Sequence, residues 1–276
     1  MNSTPANHDP HYAGGDIEAA ITAALAARGD AALRVEDLAG LDQFHTGGLQ
    51  ATRALAQLAG ITAADRVLDV GGGLGGPARL LAEQVGCHVT VVDLTAAYCR
   101  VGALLTARVG LSDRVRFQHG DALDLLFEDG DFDVVWTQHS SMNIADKARL
   151  YGQIGRVLRP GGRLALFEVA AGSGEAPHFP ALWARSAATS FLIPPEALRA
   201  TLAEAGLREL AWQDRSDWAL AWMRARQAAQ PQAGAAPGAL GLHLLLGADV
   251  GAMLGNHVRN LAEGRIRIVE GVFERP

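Results

Sequence analysis

The sequence predicts an α/β protein built on an open, doubly wound and mostly parallel sheet. Three observations carry that prediction. An apolar strand, Val67-Leu68-Asp69-Val70, runs directly into Gly71-Gly72-Gly73-Leu74-Gly75-Gly76 and then into a helical pattern. Strand and helix patterns continue to alternate up to residue 168. An acid closes each of three successive strands, Asp69, Asp93 and, after Gln118-His119-Gly120, Asp121. Alternation of this kind places crossover helices on a parallel sheet. A chain of 276 residues that is 49% hydrophobic can bury the core such a sheet needs, and one-domain sheet enzymes often exceed 200 residues.

In chain order, a polar tail gives way at Asp16 to Ile17, Ile21 and Leu25, an apolar repeat every four residues that reads as a helix. It precedes the sheet, so it is expected to fold over the carboxyl ends of the strands as a lid. Tail and lid occupy 1–48, and the sheet domain 49–276. A helix at 49–58 leads into strand 67–70, helix 76–85, strand 88–92, helix 96–109, strand 115–117, strand 132–136, helix 147–157 and strand 163–168. The stretch 170–195, rich in Gly, Pro, His and Trp, is longer than an ordinary connection and leaves the strand end where open sheets bind ligands, which marks a cap. Helix 195–205, a strand near 207–213 and a helix about 218–227 follow. A Pro/Gly/Ala/Gln connection at 229–239, a helical stretch at 242–263 and an alternating strand at 265–273 complete the chain. Residues 215–262 supply a second cap element.

The glycines permit a tight turn and let a ligand lie against backbone N–H groups at a helix N-terminus. A glycine fingerprint alone does not choose between nicotinamide, flavin and S-adenosylmethionine ligands, and some Gly-rich turns bind nothing. Asp93 stands about 20 residues beyond the glycines, where a ribose diol is met. An NAD enzyme would show that acid too, but would not call for Gly120-Asp121-Ala122 at the next strand end, nor for Val157-Leu158-Arg159-Pro160-Gly161-Gly162 before the fifth strand.

As a set, these motifs resemble those of the class I S-adenosylmethionine (SAM)-dependent methyltransferases, over 66–162 most specifically and over nearly the whole chain more loosely. The resemblance implies a Rossmann-like sheet of seven strands with an antiparallel last strand. It implies SAM as cofactor, with Asp69, Gly71, Gly73 and Gly75 at the methionine end, Asp93 on the ribose, Asp121 and Ala122 bracketing the adenine and Leu94 packed on its edge, and Gln138 on the same side. Asp42-Gln43-Phe44-His45-Thr46-Gly47-Gly48 is similar to the Ser/Thr-Gly-Gly segment of phosphoethanolamine and sarcosine/dimethylglycine N-methyltransferases, which puts Thr46 on the SAM carboxylate; alternatively Thr46 only starts the helix. Tyr12 resembles a tyrosine latch closing over the cofactor, or is a tethering aromatic.

Methyl transfer is an in-line displacement, so alignment and water exclusion dominate and a base is needed only for a protonated acceptor. His139, at the tip of the fourth strand, is the general-base candidate by position and intrinsic pKa; a hydrogen-bonding role without proton transfer is the alternative. His45 is a secondary candidate. For the acceptor the expectation is His11, Met142, Asn143, Trp183, Arg185, Phe191, Asn256 and Arg259, with aromatic rings for a cationic amine and arginine for a carboxylate. Trp218 and Trp222, at i and i+4, read rather as packing. The preferred acceptor is a small polar nitrogen compound such as sarcosine or dimethylglycine. A natural-product or quinone-type oxygen, sulfur or carbon acceptor, and a non-catalytic SAM-binding regulator, stand as alternatives.

Net charge −6 argues against a nucleic-acid partner. Cys87 and Cys99 form no Cys-x-x-Cys pair and no His cluster has zinc spacing, so no metal is expected. No stretch reaches membrane-spanning length and residues 1–10 lack an apolar leader, so the protein is expected to be cytoplasmic, with a small-molecule acceptor as partner and a homodimer as an open option.

Overall fold

A computed structural model describes residues 16–29, 32–229 and 238–276. Three helices precede the sheet: α1 (Ile17–Ala27), α2 (Val35–Asp42) and α3 (Gly48–Ala59). Then come β1 (Arg66–Val70), α4 (Gly76–Gln84), β2 (His88–Asp93), α5 (Ala96–Arg108), β3 (Val115–His119), β4 (Phe132–Gln138), α6 (Lys147–Val157) and β5 (Leu158–Ala171). The chain continues through α7 (Pro195–Glu204), β6 (Arg208–Asp214), α8 (Ser216–Ala229), α9 (His243–Leu246), α10 (Val250–Ala262) and β7 (Ile266–Glu274). The seven strands form one sheet in the order β3-β2-β1-β4-β5-β7-β6. The first five are mutually parallel, and β7 runs antiparallel to both β5 and β6. This is the Rossmann-like methyltransferase fold expected from the sequence.

The strands are apolar on both faces because helices cover both. Along β1, Val67 packs into one core with Val89, Val134, Trp136 and Phe167, while Leu68 and Val70 point through the sheet to Val135, Leu164 and Leu166. A third apolar cluster, separate from these two, joins α1 and α2 to α5 and to the segment before β7, through Ile21, Leu38, Leu41, Leu105, Leu246 and Met253, all buried. Each such side chain contributes roughly 1.5–3 kcal/mol of transfer free energy. This cluster thus joins the first described helices to the segment that precedes β7.

Two expectations change in detail. α2 is a helix that the apolar periodicity did not reveal, since Gly40 and three acids interrupt its pattern. The helical stretch before β7 is broken after α9 at Gly247, whose positive φ of 69° ends one helix before α10 begins. Tyr12 and His11 lie outside the described residues. Among those residues no helix is long and apolar enough to cross a membrane.

Candidate active site

Two chambers meet at the carboxyl end of the parallel strands. The first, of about 250 Å³, is bordered by the glycine turn, the ends of β1 and β2, and Gly120-Asp121-Ala122 after β3. The turn fits a ligand laid against backbone. A Cβ added at Gly72 would stand 2.5 Å from Asp69 Oδ2, and one at Gly71 2.6 Å from the Ser140 Cβ, so side chains there would close the cleft. Asp93 fixes the turn: its carboxylate accepts from Gly73 N at 2.9 Å and from Thr95 N at 2.8 Å, joining the glycines to the start of α5. Asp69 is buried and its Oδ2 has no hydrogen-bond partner among the described residues. Burial, with the Asp93 charge adding, pushes its carboxyl up to about 8. Asp121 Oδ1 accepts from Leu123 N at 2.8 Å, which orders the third strand end. Leu94, Ala122 and Gln138 also border this cleft. Gly75 does not; it caps α4, packed against Phe117.

The second chamber, of about 370 Å³, lies between the α2–α3 corner, the loop after β5, and the α8 and α10 helices. Its wall is mainly apolar: Phe44, Met142, Leu182, Trp183, Trp222, Met223, Leu242 and Leu254. Phe44, His45 and His139 border both chambers.

His139 is the one non-glycine residue with positive φ among those described, at 52°. The left-handed region is strained for such a residue, by roughly 1–2 kcal/mol, and strain of this kind concentrates at functional sites. The ring stacks on Phe167 at 5.3 Å and 6°, its backbone N–H donates to Phe167 O at 2.8 Å, and Nε2 has no partner among the described residues. Burial, with His45 and His257 nearby, holds its pKa well below the ordinary value, so the ring is neutral. His45 is buried as well, with its pKa lowered to about 4. Its Nε2 lies 3.1 Å from Gly48 O. A carbonyl can only accept, so Nε2 carries the hydrogen and Nδ1 presents a lone pair. Thr52 Oγ1 donates to Gln43 Oε1 at 2.9 Å or to Gln138 Oε1 at 3.2 Å, and Trp136 Nε1 donates to the same Gln138 oxygen at 3.2 Å.

The structure relocates several residues expected at the site. Thr46 borders the second chamber rather than the cleft, and its Oγ1 meets His257 Nε2 at 3.0 Å instead of facing a cofactor carboxylate. Nor does it cap a helix, since Gly47 holds that position of α3. Arg185 pairs with Asp249 at 2.7 Å and Arg259 with Glu263 at 2.6 Å, both away from either chamber. Asn256 donates to Pro180 O, and Asn143, which borders the cleft, donates its amide to Trp183 O at 2.7 Å and Thr189 O at 3.2 Å. Phe191 donates its N–H to Met142 O, accepts at its carbonyl from Lys147 Nζ, and borders neither chamber. Met142 and Trp183 do line the second chamber. So does Trp222, read from its spacing as packing, whereas Trp218 packs against Gly47 and beneath Arg215. Phe44, His257 and the fully buried pair Arg79–Asp42 at 2.7 Å were not anticipated; Asp42 and Phe44 belong to the unusual 42–48 cluster, but a lone histidine on α10 carries no motif.

A cleft that meets strand-end acids and a glycine turn in this fold defines a class. Residues 68–166 match the family described as "Methyltransferase domain". The chain is 41% identical over 100 residues to a probable chloroplastic tocopherol O-methyltransferase of Oryza sativa subsp. japonica, covering 36% of this chain and 28% of that one. It is 37% identical over 113 residues to a glycine/sarcosine/dimethylglycine N-methyltransferase of Actinopolyspora halophila, covering 40% of this chain and 20% of that one. The chain thus spans less than a third of either relative. The solved [4+2]-cyclase SpnF is 25% identical with a TM-score of 0.67, over 95% of this chain and 94% of that one. Residues 68–166 thus carry a methyltransferase domain, and the fold is shared with a geranyl diphosphate methyltransferase solved in complex with SAM, 21% identical with a TM-score of 0.66 over 82% of this chain and 84% of that one. The cradle at Gly71-Gly72, the acids at three strand ends and the buried Asp69 oxygen fit SAM.

Proposed function

We propose that this protein methylates a hydroxyl oxygen on a largely apolar small molecule held in the second chamber. The observation that carries this reading is the pair of neutral imidazoles, His139 and His45, that border both a SAM cleft and an apolar chamber. SAM supplies an electrophilic methyl group on a sulfonium. The protein's own residues do the rest. Asp93 and the glycine turn fix the donor side; Phe44, Met142, Trp183 and Leu254 exclude water and hold the acceptor's apolar body. His139 Nε2 takes the hydroxyl proton as the oxygen attacks. With SAM bound, the positive charge His139 would gain would replace that of the sulfonium, so the buried site would hold one positive charge throughout and no new charge would be desolvated.

Chamber size and lining support an acceptor bulkier and less polar than sarcosine. Arg185 and Arg259, which an amino-acid acceptor would engage through its carboxylate, are committed to surface acids. Arg53 and Arg226 do stand at the chamber wall, Arg53 hydrogen-bonded to Gln84 and Arg226 over the Trp222 ring. The likeness to the [4+2]-cyclase SpnF along almost the whole chain favours a second reading, in which the apolar chamber promotes ring closure of an unsaturated substrate.

The test is a panel of phenols, hydroxylated terpenoids and macrolactones set against glycine, sarcosine and dimethylglycine, reading S-adenosylhomocysteine release. Turnover confined to the hydroxyl compounds is expected, and His139→Gln should lower it by about 10²–10⁴-fold with SAM affinity within about threefold. Turnover confined to the amines would overturn the oxygen assignment. Conversion of an unsaturated acceptor without S-adenosylhomocysteine release would favour the cyclase reading.

A further inference from the structure

The turn that follows His139 is held from inside the protein by two ionisable side chains that face no ligand. Glu168, on β5, is completely buried, and Lys147, at the first turn of α6, is 7% exposed and is the chain's single lysine. Glu168 Oε2 accepts from Ser140 N at 3.3 Å and from Ser141 N at 3.2 Å. Lys147 Nζ donates to Ser141 O at 2.8 Å, to Ile144 O and to Phe191 O at 2.8 Å. The carboxylate thus collects the amides of the turn and the ammonium its carbonyls. Neither group is needed to complete the sheet: β4 ends at Gln138, and the regular β4–β5 register ends at the Gln138–Phe167 pair.

Both grips bear on His139. Its amide is tied to Phe167 O, and the next two amides are tied to Glu168, the residue after Phe167. The backbone must turn sharply to reach that carboxylate, and His139 makes the turn in the left-handed region. The third Lys147 bond reaches Phe191, whose own N–H donates to Met142 O at 2.8 Å, so the same ammonium ties this turn to the loop carrying Trp183.

We infer that Glu168 and Lys147 are positioning residues that hold the 140–144 turn, and through it the strained His139 imidazole, on the border shared by the two chambers. This rests on the reading above that His139 faces the acceptor. It assigns two buried charged groups that cofactor binding does not use. Because the two act on opposite sets of backbone groups, losing either releases the same turn.

The experiment uses the full chain loaded with S-adenosylhomocysteine, ¹⁵N-imidazole spectra with the His139 signal identified by its loss in His139→Gln, and amide hydrogen exchange. Glu168→Leu and Lys147→Met should each shift the His139 resonance and speed exchange at Ser140 and Ser141 by at least about tenfold. The His257 resonance should stay in place, and S-adenosylhomocysteine affinity should remain within about threefold of wild type. Glu168→Gln keeps an oxygen that accepts from both amides and should restore the wild-type pattern. With a known acceptor, kcat should fall by about 10²-fold at unchanged KM for SAM. An unmoved His139 resonance and unchanged exchange in a folded Leu or Met variant would overturn the proposal; if the buried Leu variant does not fold, the Met variant decides it. Failure of the base reading looks different: His139 would move as described while His139→Gln turned over normally.

Discussion

Asp69 shows what the cleft does to a single carboxyl group. With its pKa pushed up to about 8 by burial and by Asp93, it is mostly protonated at pH 7. A sulfonium in the cleft favours the charged form and lowers that pKa. SAM binding should therefore release a fraction of a proton at pH 7 and tighten as pH rises toward 8, whereas the uncharged thioether of S-adenosylhomocysteine should release less. Calorimetry in two buffers of different ionisation enthalpy reads this directly, and identical heats in both would refute it. Asp93→Ala removes the acceptor that holds both Gly73 and Thr95 amides, so SAM affinity should fall by at least about tenfold, as two charge-assisted hydrogen bonds are lost; undiminished affinity would remove the assigned role. The placement of these acids at the cleft was legible because their environment is local: an acid at the end of a parallel strand beside a glycine turn has few places to point. Thr46, Arg185 and Arg259 were not legible, because their partners are chosen by packing. Thr46 meets a histidine 211 residues away and Arg185 an aspartate 64 residues away, distances at which no spacing rule operates.

Among elements, the junction of α2 with α4 depends on one buried ion pair. Arg79 donates to Asp42, Leu74 O, Gly102 O and Thr106, so its guanidinium ties the end of α2, the glycine turn and α5 together at zero exposure. Removing one partner of such a pair strands the other without water. Arg79→Met should cost about 3–5 kcal/mol in urea denaturation. It should also weaken SAM binding, since Asp42, Phe44 and His45 border the cleft; a loss under 1 kcal/mol would show that the pair is dispensable. The sheet and its flanking helices were readable from alternation, and the long loop after β5 from its length. α2 was not, because its buried residues Val35, Leu38 and Leu41 are separated by acids and a glycine, and its helicity comes from docking on α4 rather than from its own pattern.

At the scale of the molecule, the enclosed histidines make stability depend on acid. His45 and His257 titrate near 4 when folded and near 6.5 when exposed. Between those values these two groups bind more protons in the unfolded chain, so their contribution to stability falls as pH drops from 6.5 toward 4 and levels off below, by up to about 3 kcal/mol per histidine. Asp42, Asp69, Asp93, Glu168 and Glu270, whose pKa values burial raises, contribute with the opposite sign, but equally in a variant that keeps them. His257→Leu should therefore show a shallower loss of stability between pH 7 and pH 5 than the wild type; parallel curves would rule out the buried neutral state of His257. The position of β7 in the sheet has a different consequence. It lies between β5 and β6, both of which leave the ribosome before it. Until residues 266–274 emerge, the facing edges of β5 and β6 have no strand between them, and at about 5–20 residues per second that interval after β5 lasts on the order of ten seconds. During synthesis β5 thus presents an unpaired sheet edge, open to any extended segment that reaches it before β7 does.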